Sequence, residues 1–179
     1  NLDVSQNTAL TVLGCGANQL GNLDVSQNTA LTYLSCWHNQ LTTLDVSNNT
    51  ALTTLRCENN QLTNLDVSNN TALTALRCEN NQLTNLDVSQ NTALITFQAN
   101  INQLTILDLR NGNNTNINNF NAINNPNLTC ISVDDAIYST ANWTTIDPQH
   151  YFSNNCSGTA IEELSTNKKI LKVTDLLGR

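Results

Sequence analysis

Apolar residues recur along this chain at fixed places, and their pattern is strict enough to write as a template. One unit runs Leu44-Asp45-Val46-Ser47-Asn48-Asn49-Thr50-Ala51-Leu52-Thr53-Thr54-Leu55-Arg56-Cys57-Glu58-Asn59-Asn60-Gln61-Leu62-Thr63-Asn64. Leu-Asp-Val-Ser starts at Leu2, Leu23, Leu44, Leu65 and Leu86, with a weaker Leu-Asp-Leu at Leu107, so successive starts differ by 21 residues without insertion. A period of that length marks one coil of a solenoid whose apolar positions are buried only by stacking on the next coil. Within a unit, Leu34-x-Cys36 alternates as a strand does. Asn39 falls where the chain must turn, and an amide there can hydrogen-bond backbone groups coil after coil. The elements predicted are short parallel strands, one coil above the next, with little helix.

Leu31, Leu34, Cys36, Asn39 and Leu41 spell Leu-x-x-Leu-x-Cys-x-x-Asn-x-Leu, and Leu41, Leu44, Val46 and Asn49 run the pattern again. This is the signature of the leucine-rich repeat, with Cys in a position that is usually aliphatic. The nested 21-residue form resembles the IRREKO-type repeats of bacterial surface proteins, over residues 1 to about 110. The resemblance implies a right-handed leucine-rich-repeat solenoid. Leu13, Leu34, Leu55 and Leu76 are assigned to its core, and Asn18, Asn39, Asn60, Asn81 and Asn102 to a buried amide ladder.

The six cysteines fall into two groups. Cys15, Cys36, Cys57 and Cys78 share one inward column, which Ala99 occupies in the fifth unit, and this favours packing as free thiols. Metal binding is the rival, but a structural zinc site brings a close Cys-x(2–4)-Cys pair, and none occurs. Cys130 and Cys156 lie beyond the repeats; a bridge between them would stabilise by about 3 kcal/mol on the chain-entropy argument.

Beyond residue 110 the period fades. Phe97 replaces a Leu, an Asn-rich stretch follows from Asn111 to Asn127, and Tyr138, Trp143, Tyr151 and Phe152 concentrate in what suits a cap over the last coil. The segment resembles the disulfide-closed cap that follows such repeats in secreted proteins of Bacteroidota. Lys168 to Arg179, with its Ile-x-Lys-Val-x-Asp-x-x-Gly-Arg pattern, resembles the start of the C-terminal sorting domain read by the type IX secretion system. The expected division is repeats at 1–110, a divergent coil and cap at 111–157, and a linker with a truncated sorting segment at 158–179. The resemblance implies a secreted or cell-surface protein. Asn1 stands in the column of Asn22, Asn64 and Asn85, so the chain starts inside a unit, and an uncapped first coil predicts upstream repeats or end-to-end association.

Composition narrows the function. Hydrophobic residues make up 39%, charged residues 12% and aromatics 4%, which is not the high-charge, low-hydropathy profile of disorder. The formal charge is −7, and residues 1–160 hold only Arg56, Arg77 and Arg110 as cations. Nucleic acid needs a basic stripe, and the body of the chain has none. No apolar stretch approaches the roughly 18 residues that would insert in a membrane. His38 and His150 are far apart in sequence, and neither a glycine-rich phosphate loop nor His-Glu-x-x-His occurs. An enzyme is not expected, nor a cofactor or resident metal.

Columns that vary are where function is expected. Outward positions beside the strands hold Tyr33, Ser35, Trp37 and His38, then Arg56 and Glu58, Arg77 and Glu79, and Gln98. These are the candidate ligand-binding residues, since Trp, Tyr and Arg supply interface anchors. Their partner would be an extracellular protein or polysaccharide. A plainer reading is wet pairing of Arg56, Glu58, Arg77 and Glu79 across coils. A spacer or stalk is the second class of function. Ice binding is a remote third, because the repeated Thr columns never form Thr-x-Thr on one strand. Asp3, Asp24, Asp45, Asp66, Asp87 and Asp108 also stack, and like charges so close repel. Either each accepts hydrogen bonds from a neighbour such as Ser47, or Ca²⁺ bridges them.

Overall fold

The computed structural model describes residues 2–156. Six three-residue strands form one parallel sheet: β1 (Val12–Gly14), β2 (Tyr33–Ser35), β3 (Thr54–Arg56), β4 (Ala75–Arg77), β6 (Thr96–Gln98) and β8 (Asn119–Asn121), in that order. Four more form a second parallel sheet on the other half of the coil: β5 (Asn85–Asp87), β7 (Ile106–Leu109), β9 (Cys130–Val133) and β10 (Tyr151–Ser153). One seven-residue helix, α1 (Ala136–Asn142), is the only α-helix among the described residues.

Alternation explains which side chains go inside. Leu34, Leu55, Leu76 and Phe97 point inward at the centre of their strands and are fully buried, as are Cys36, Cys57, Cys78 and Ala99 two residues on. Val46, Val67 and Val88 fill the opposite wall of the coil. At roughly 1.5–3 kcal/mol for each buried aliphatic side chain, stacking one coil on the next dominates the stability of the array. The four cysteines of the inward column are free thiols, and burial pushes Cys36 up to about 12 and Cys57 and Cys78 well above the ordinary thiol range. They stay protonated and act as small apolar groups.

Three-residue strands leave much backbone outside the ladders, and asparagine supplies the missing partners. Asn81 Nδ2 donates to Cys57 O (3.0 Å) and Cys78 O (3.1 Å), while its Oδ1 accepts from Leu62 N (2.9 Å). Asn39, Asn60 and Asn102 repeat this geometry. Asn18, in the first described coil, is exposed, and its side-chain amide donates only to Cys15 O and Gly16 O of its own turn. A second ladder runs along the other half of the coil: Asn28, Asn49, Asn70 and Asn91 each donate twice to carbonyls of the preceding coil, and Asn49 does so to Val25 O and Asn28 O. Their Oδ1 atoms are buried without a donor. Before each amide of the first ladder the chain passes through a left-handed residue, at Ala17, His38, Asn59, Asn80, Ile101 and Asn124 (φ 52° to 58°). Asn suits this conformation; branched Ile101 does not.

The aspartate column resolves into turns. Each of Ser5, Ser26, Ser47, Ser68 and Ser89 donates its backbone N–H to the Asp Oδ1 two residues before it at 2.8–2.9 Å. These bonds hold Asp3, Asp24 and Asp66 below the usual carboxylate range, with the Ser hydroxyl adding a second hydrogen bond; at Asp45 the hydroxyl contributes most.

The register slips where the repeat fades. Ala75 pairs with Thr96, but Thr96 pairs with Asn119, two residues further than the period requires. Gly112 at φ 71° and a 3₁₀ turn at Asn114–Asn116 absorb the excess. β8 therefore lies inside the Asn-rich stretch, where hydrophobic alternation gave no sign of it. Asp134 and Asp135 do not extend β9: Asp134 Oδ2 accepts from Gly112 N (2.7 Å), and Asp135 caps α1 by accepting from Tyr138 N (2.9 Å). In the last described coil the aromatic rings stack on one another. Trp143 lies 4.4 Å from Phe120 at an interplanar angle of 9° and donates its indole N–H to Ile117 O (3.0 Å), while Phe152 meets both rings edge-on. Cys130 and Cys156 are joined by a disulfide. Residues 158–179, including the sorting-like segment Lys168–Arg179, lie outside the described residues.

Asn81→Ala leaves the buried Leu62 N–H without its acceptor and removes one of the two amide donors at each of Cys57 O and Cys78 O, and is expected to cost roughly 2–4 kcal/mol in urea unfolding. A Cys130→Ser/Cys156→Ser variant is expected to lose about 3 kcal/mol by the same measurement.

Candidate functional site

The six-stranded sheet turns one face outward, and its register assembles the candidate residues in three columns. Val12, Tyr33, Thr54, Ala75, Thr96 and Asn119 form the first, and Gly14, Ser35, Arg56, Arg77, Gln98 and Asn121 the second. The third lies just past the strands. Backbone bonds from Ala17 to Trp37 O, His38 to Glu58 O, Asn59 to Glu79 O and Asn80 to Asn100 O stack Trp37, Glu58, Glu79 and Asn100 on successive coils. Neighbouring members of a column stand about one strand spacing (~4.8 Å) apart.

The columns are not equally accessible. Trp37 is 37% exposed and His38 is exposed beside it, the two rings 6.0 Å apart and tilted by 44°. Tyr33, Arg56, Arg77, Glu79 and Gln98 are half-buried. Ser35 is only 5% exposed and the Glu58 side chain likewise 5%, so these two belong to the floor of the face and not to its rim. The covering has a cause in each coil. Glu58 folds back on its own strand to Arg56, whose Nε donates to Oε1 at 3.0 Å and whose Nη2 also pairs with that oxygen. Gln98 is tied to the next coil, its Nε2 donating to Asn119 Oδ1 (2.7 Å).

Glu79 has no ion pair of that kind among the described residues. Burial pushes its carboxyl above the ordinary glutamate range and the neighbouring Glu58 adds to the shift, while its own backbone N–H, Arg77 and Arg56 pull the other way. This face therefore carries two arginines against two carboxylates, one well paired and one strained.

Neither histidine belongs to a reactive constellation. His38 lies on this face, whereas the His150 ring is buried in the cap, accepting from Asp147 N through Nδ1 (3.2 Å) and facing Asn125 O through Nε2 (3.2 Å). Asp147 in turn accepts from Asn124 N and Asn125 N at 2.8 Å. Among the described residues no three or more His, Cys, Asp or Glu gather to hold a metal ion, and no helix is long and apolar enough to cross a membrane.

The second sheet carries a groove that the repeat pattern did not point to, lined by Thr105, Ile106, Asp108, Arg110, Thr129 and Ser132. Ile106 is 59% exposed, and Arg110 pairs with Asp108 through Nε at 2.9 Å. A signal was present: Ile106 stands in the column of Asn64 and Asn85, and Arg110 in that of Ser68 and Ser89.

Residues 29–70 match the family of leucine-rich repeats in two copies. Of the solved structures, the functional domain of InlJ from Listeria monocytogenes, described as including a cysteine ladder, is 38% identical (TM-score 0.53) over 74% of this chain. The fold is a leucine-rich-repeat solenoid. A leucine-rich-repeat protein of Leptospira interrogans covers 84% of the chain at 25% identity with a TM-score of 0.58. The internalin InlF of Listeria monocytogenes covers 80% at 26% identity with a TM-score of 0.61. The chain spans 36%, 38% and 48% of these three proteins, respectively. No curated protein matches the sequence. In this chain four cysteines, Cys15, Cys36, Cys57 and Cys78, stack in one inward column.

Since the folded state favours the protonated form of Glu79, its contribution to stability is complete at acid pH and is lost as pH rises through the raised value. Glu79→Gln is expected to stabilise the protein at neutral pH and to lose that advantage below the ordinary glutamate range. Urea unfolding of both proteins from pH 4 to pH 8 measures the difference.

Proposed function

We propose that this chain is a non-catalytic recognition module of a secreted or surface-attached bacterial protein, binding an extracellular protein or polysaccharide. The observation that carries the reading is where the repeats differ. Inward columns repeat Leu, Cys and Val, and the turns repeat Asn, whereas one outward face changes from coil to coil through Tyr33, Trp37 and His38, Arg56 and Glu58, Arg77 and Glu79, and Gln98. Stacking constrains the first set, and nothing in the fold requires the second. Half-exposed Trp, Tyr and Arg on a rigid support are the side chains that anchor interfaces with little ordering cost. Similarity to an internalin and to the InlJ functional domain supports the same class.

An extracellular setting is supported by the disulfide in the cap, since such bonds persist in oxidising compartments. The resemblance of Lys168–Arg179 to a type IX sorting segment and of the 21-residue unit to IRREKO-type repeats gives this proposal its finer form: export across the outer membrane of a bacterium. A spacer is the second reading, favoured by the near-identity of the units away from the varying face.

The test is a binding screen of the full chain against immobilised polysaccharides and extracellular-matrix proteins, beside a Tyr33→Ala/Trp37→Ala/Arg56→Ala variant. The expected result is a ligand whose binding falls at least tenfold in the variant. Binding that survives unchanged removes the face assignment, and silence of the folded protein across the panel leaves the spacer.

A further inference from the structure

Two acceptors on the varying face are buried and have no donor: Oε2 of Glu58 and Oε2 of Glu79. They belong to neighbouring coils of one column, and the Glu58 side chain is 95% covered with its other oxygen held by Arg56. A buried carboxylate oxygen without a partner is costly for the protein alone, so a native structure that carries two side by side calls for an explanation. Arg77 does not supply one, since it reaches no carboxylate within ion-pair distance among the described residues. Its guanidinium donors are left for something else.

The coil before this pair holds Trp37, laid over the first coil. A Cβ on Gly16 would fall 2.2 Å from the indole Nε1, so only glycine lets the ring lie down there. The five-membered part of the indole is thereby held against Gly16, and the residue remains 37% exposed. Gly14, in the adjoining column, has nothing within 4 Å of where a Cβ would stand, which leaves an open shelf beside the ring.

Charge decides between possible ligands. Arg56 and Arg77 cancel Glu58 and Glu79, so the site is neutral as a whole and has no surplus with which to attract an acidic polymer or a basic peptide. A protein partner would want a broad apolar centre, but Thr54, Ala75, Thr96 and Gln98 surround a single aromatic corner. What fits is an uncharged molecule with a C–H face to lie on indole and hydroxyls along its edge to donate to carboxylates and accept from guanidinium. One pyranose ring also spans about one coil step (~4.8 Å).

Resting on the recognition reading above, we propose that Trp37, Glu58, Arg77 and Glu79 form a binding site for a neutral oligosaccharide laid along the solenoid axis. A sugar stacks on Trp37, and the next rings donate hydroxyls to the free oxygens of Glu58 and Glu79 as the long arginine side chains turn aside. Arg77 donates to ring and hydroxyl oxygens in return. Charge-assisted hydrogen bonds of this kind are the stronger ones, and the ligand hydroxyls supply the donors that these two oxygens lack within the protein.

The experiment is calorimetric titration of the full chain, with tryptophan fluorescence alongside, against short neutral oligomers of glucose, mannose and N-acetylglucosamine. Separate arms use hyaluronan oligomers and the matrix proteins fibronectin and collagen. The expected result is a neutral oligomer that binds with little salt dependence and changes the emission of Trp37, Trp143 being buried in the cap. Trp37→Leu, Glu58→Gln and Glu79→Gln should each weaken it about tenfold, while Ile106→Ala on the other sheet leaves it unchanged. Thermal melting checks each variant, and Trp37→Phe replaces the Leu variant if that one melts early. Neutral-sugar binding that survives Trp37→Leu and both Gln variants overturns the site. Binding of a matrix protein or of hyaluronan alone, lost in the Tyr33/Trp37/Arg56 variant, overturns the oligosaccharide and leaves recognition by this face standing. Silence in every arm overturns both.

Discussion

A side-chain amide that bonds to the coil before it is what the rest of this structure depends on. Strands of three residues pair too little backbone to hold a coil in place, and the corners between them would otherwise bury unpaired carbonyls. Asn39, Asn60, Asn81 and Asn102 resolve this by each bridging two coils with both ends of one amide. Apolar stacking supplies the greater energy but is indifferent to register by itself. The amides are directional and make a coil one residue out of phase lose every bond at once. The hydrogen-bond geometry thus fixes the register of each turn and not the length of chain between turns, since Asn125 keeps the same bonds across a coil two residues longer.

The same requirement separates the parts of the chain that function can use. A residue that bridges coils cannot change, and neither can one that fills the wall between them. The outward columns of the six-stranded sheet escape both demands, and there the chain places an indole, two guanidinium groups and two carboxylates within three coils. Rigidity below and freedom above are a favourable combination for binding, since the backbone that carries these side chains is already ordered before a ligand arrives.

How much of this was legible in the sequence follows from the same physics. Leu34, Cys36 and Asn39 announce strand, wall and turn because they recur every 21 residues, and the structure places them so. The second amide ladder at Asn28, Asn49, Asn70 and Asn91 was visible only as a repeat of the pattern; that it is more deeply buried than the first, with an unfilled acceptor, depends on the packing of the corner. β8 was hidden, since Asn119 and Asn121 flank Phe120 within a run of polar residues and the coil carries a two-residue excess. α1 was hidden too, being seven residues started by the Asp135 cap with no apolar stripe of its own. On the candidate face, the columns could be read but the burial of Ser35 and Glu58 could not. The burial of Glu58 depends on how the Arg56 side chain folds over it, which period alone does not specify.

The sealed thiol column bears on how the chain acquires its one crosslink. Six cysteines admit fifteen complete pairings, and an oxidising milieu does not choose among them. Stacking chooses. Once the coils have closed over them, Cys36, Cys57 and Cys78 are fully buried and protonated and Cys15 is nearly covered, which withdraws the column from exchange. Cys130 and Cys156 are then left with each other. The solenoid acts as its own chaperone for disulfide formation, provided that it folds before it is oxidised.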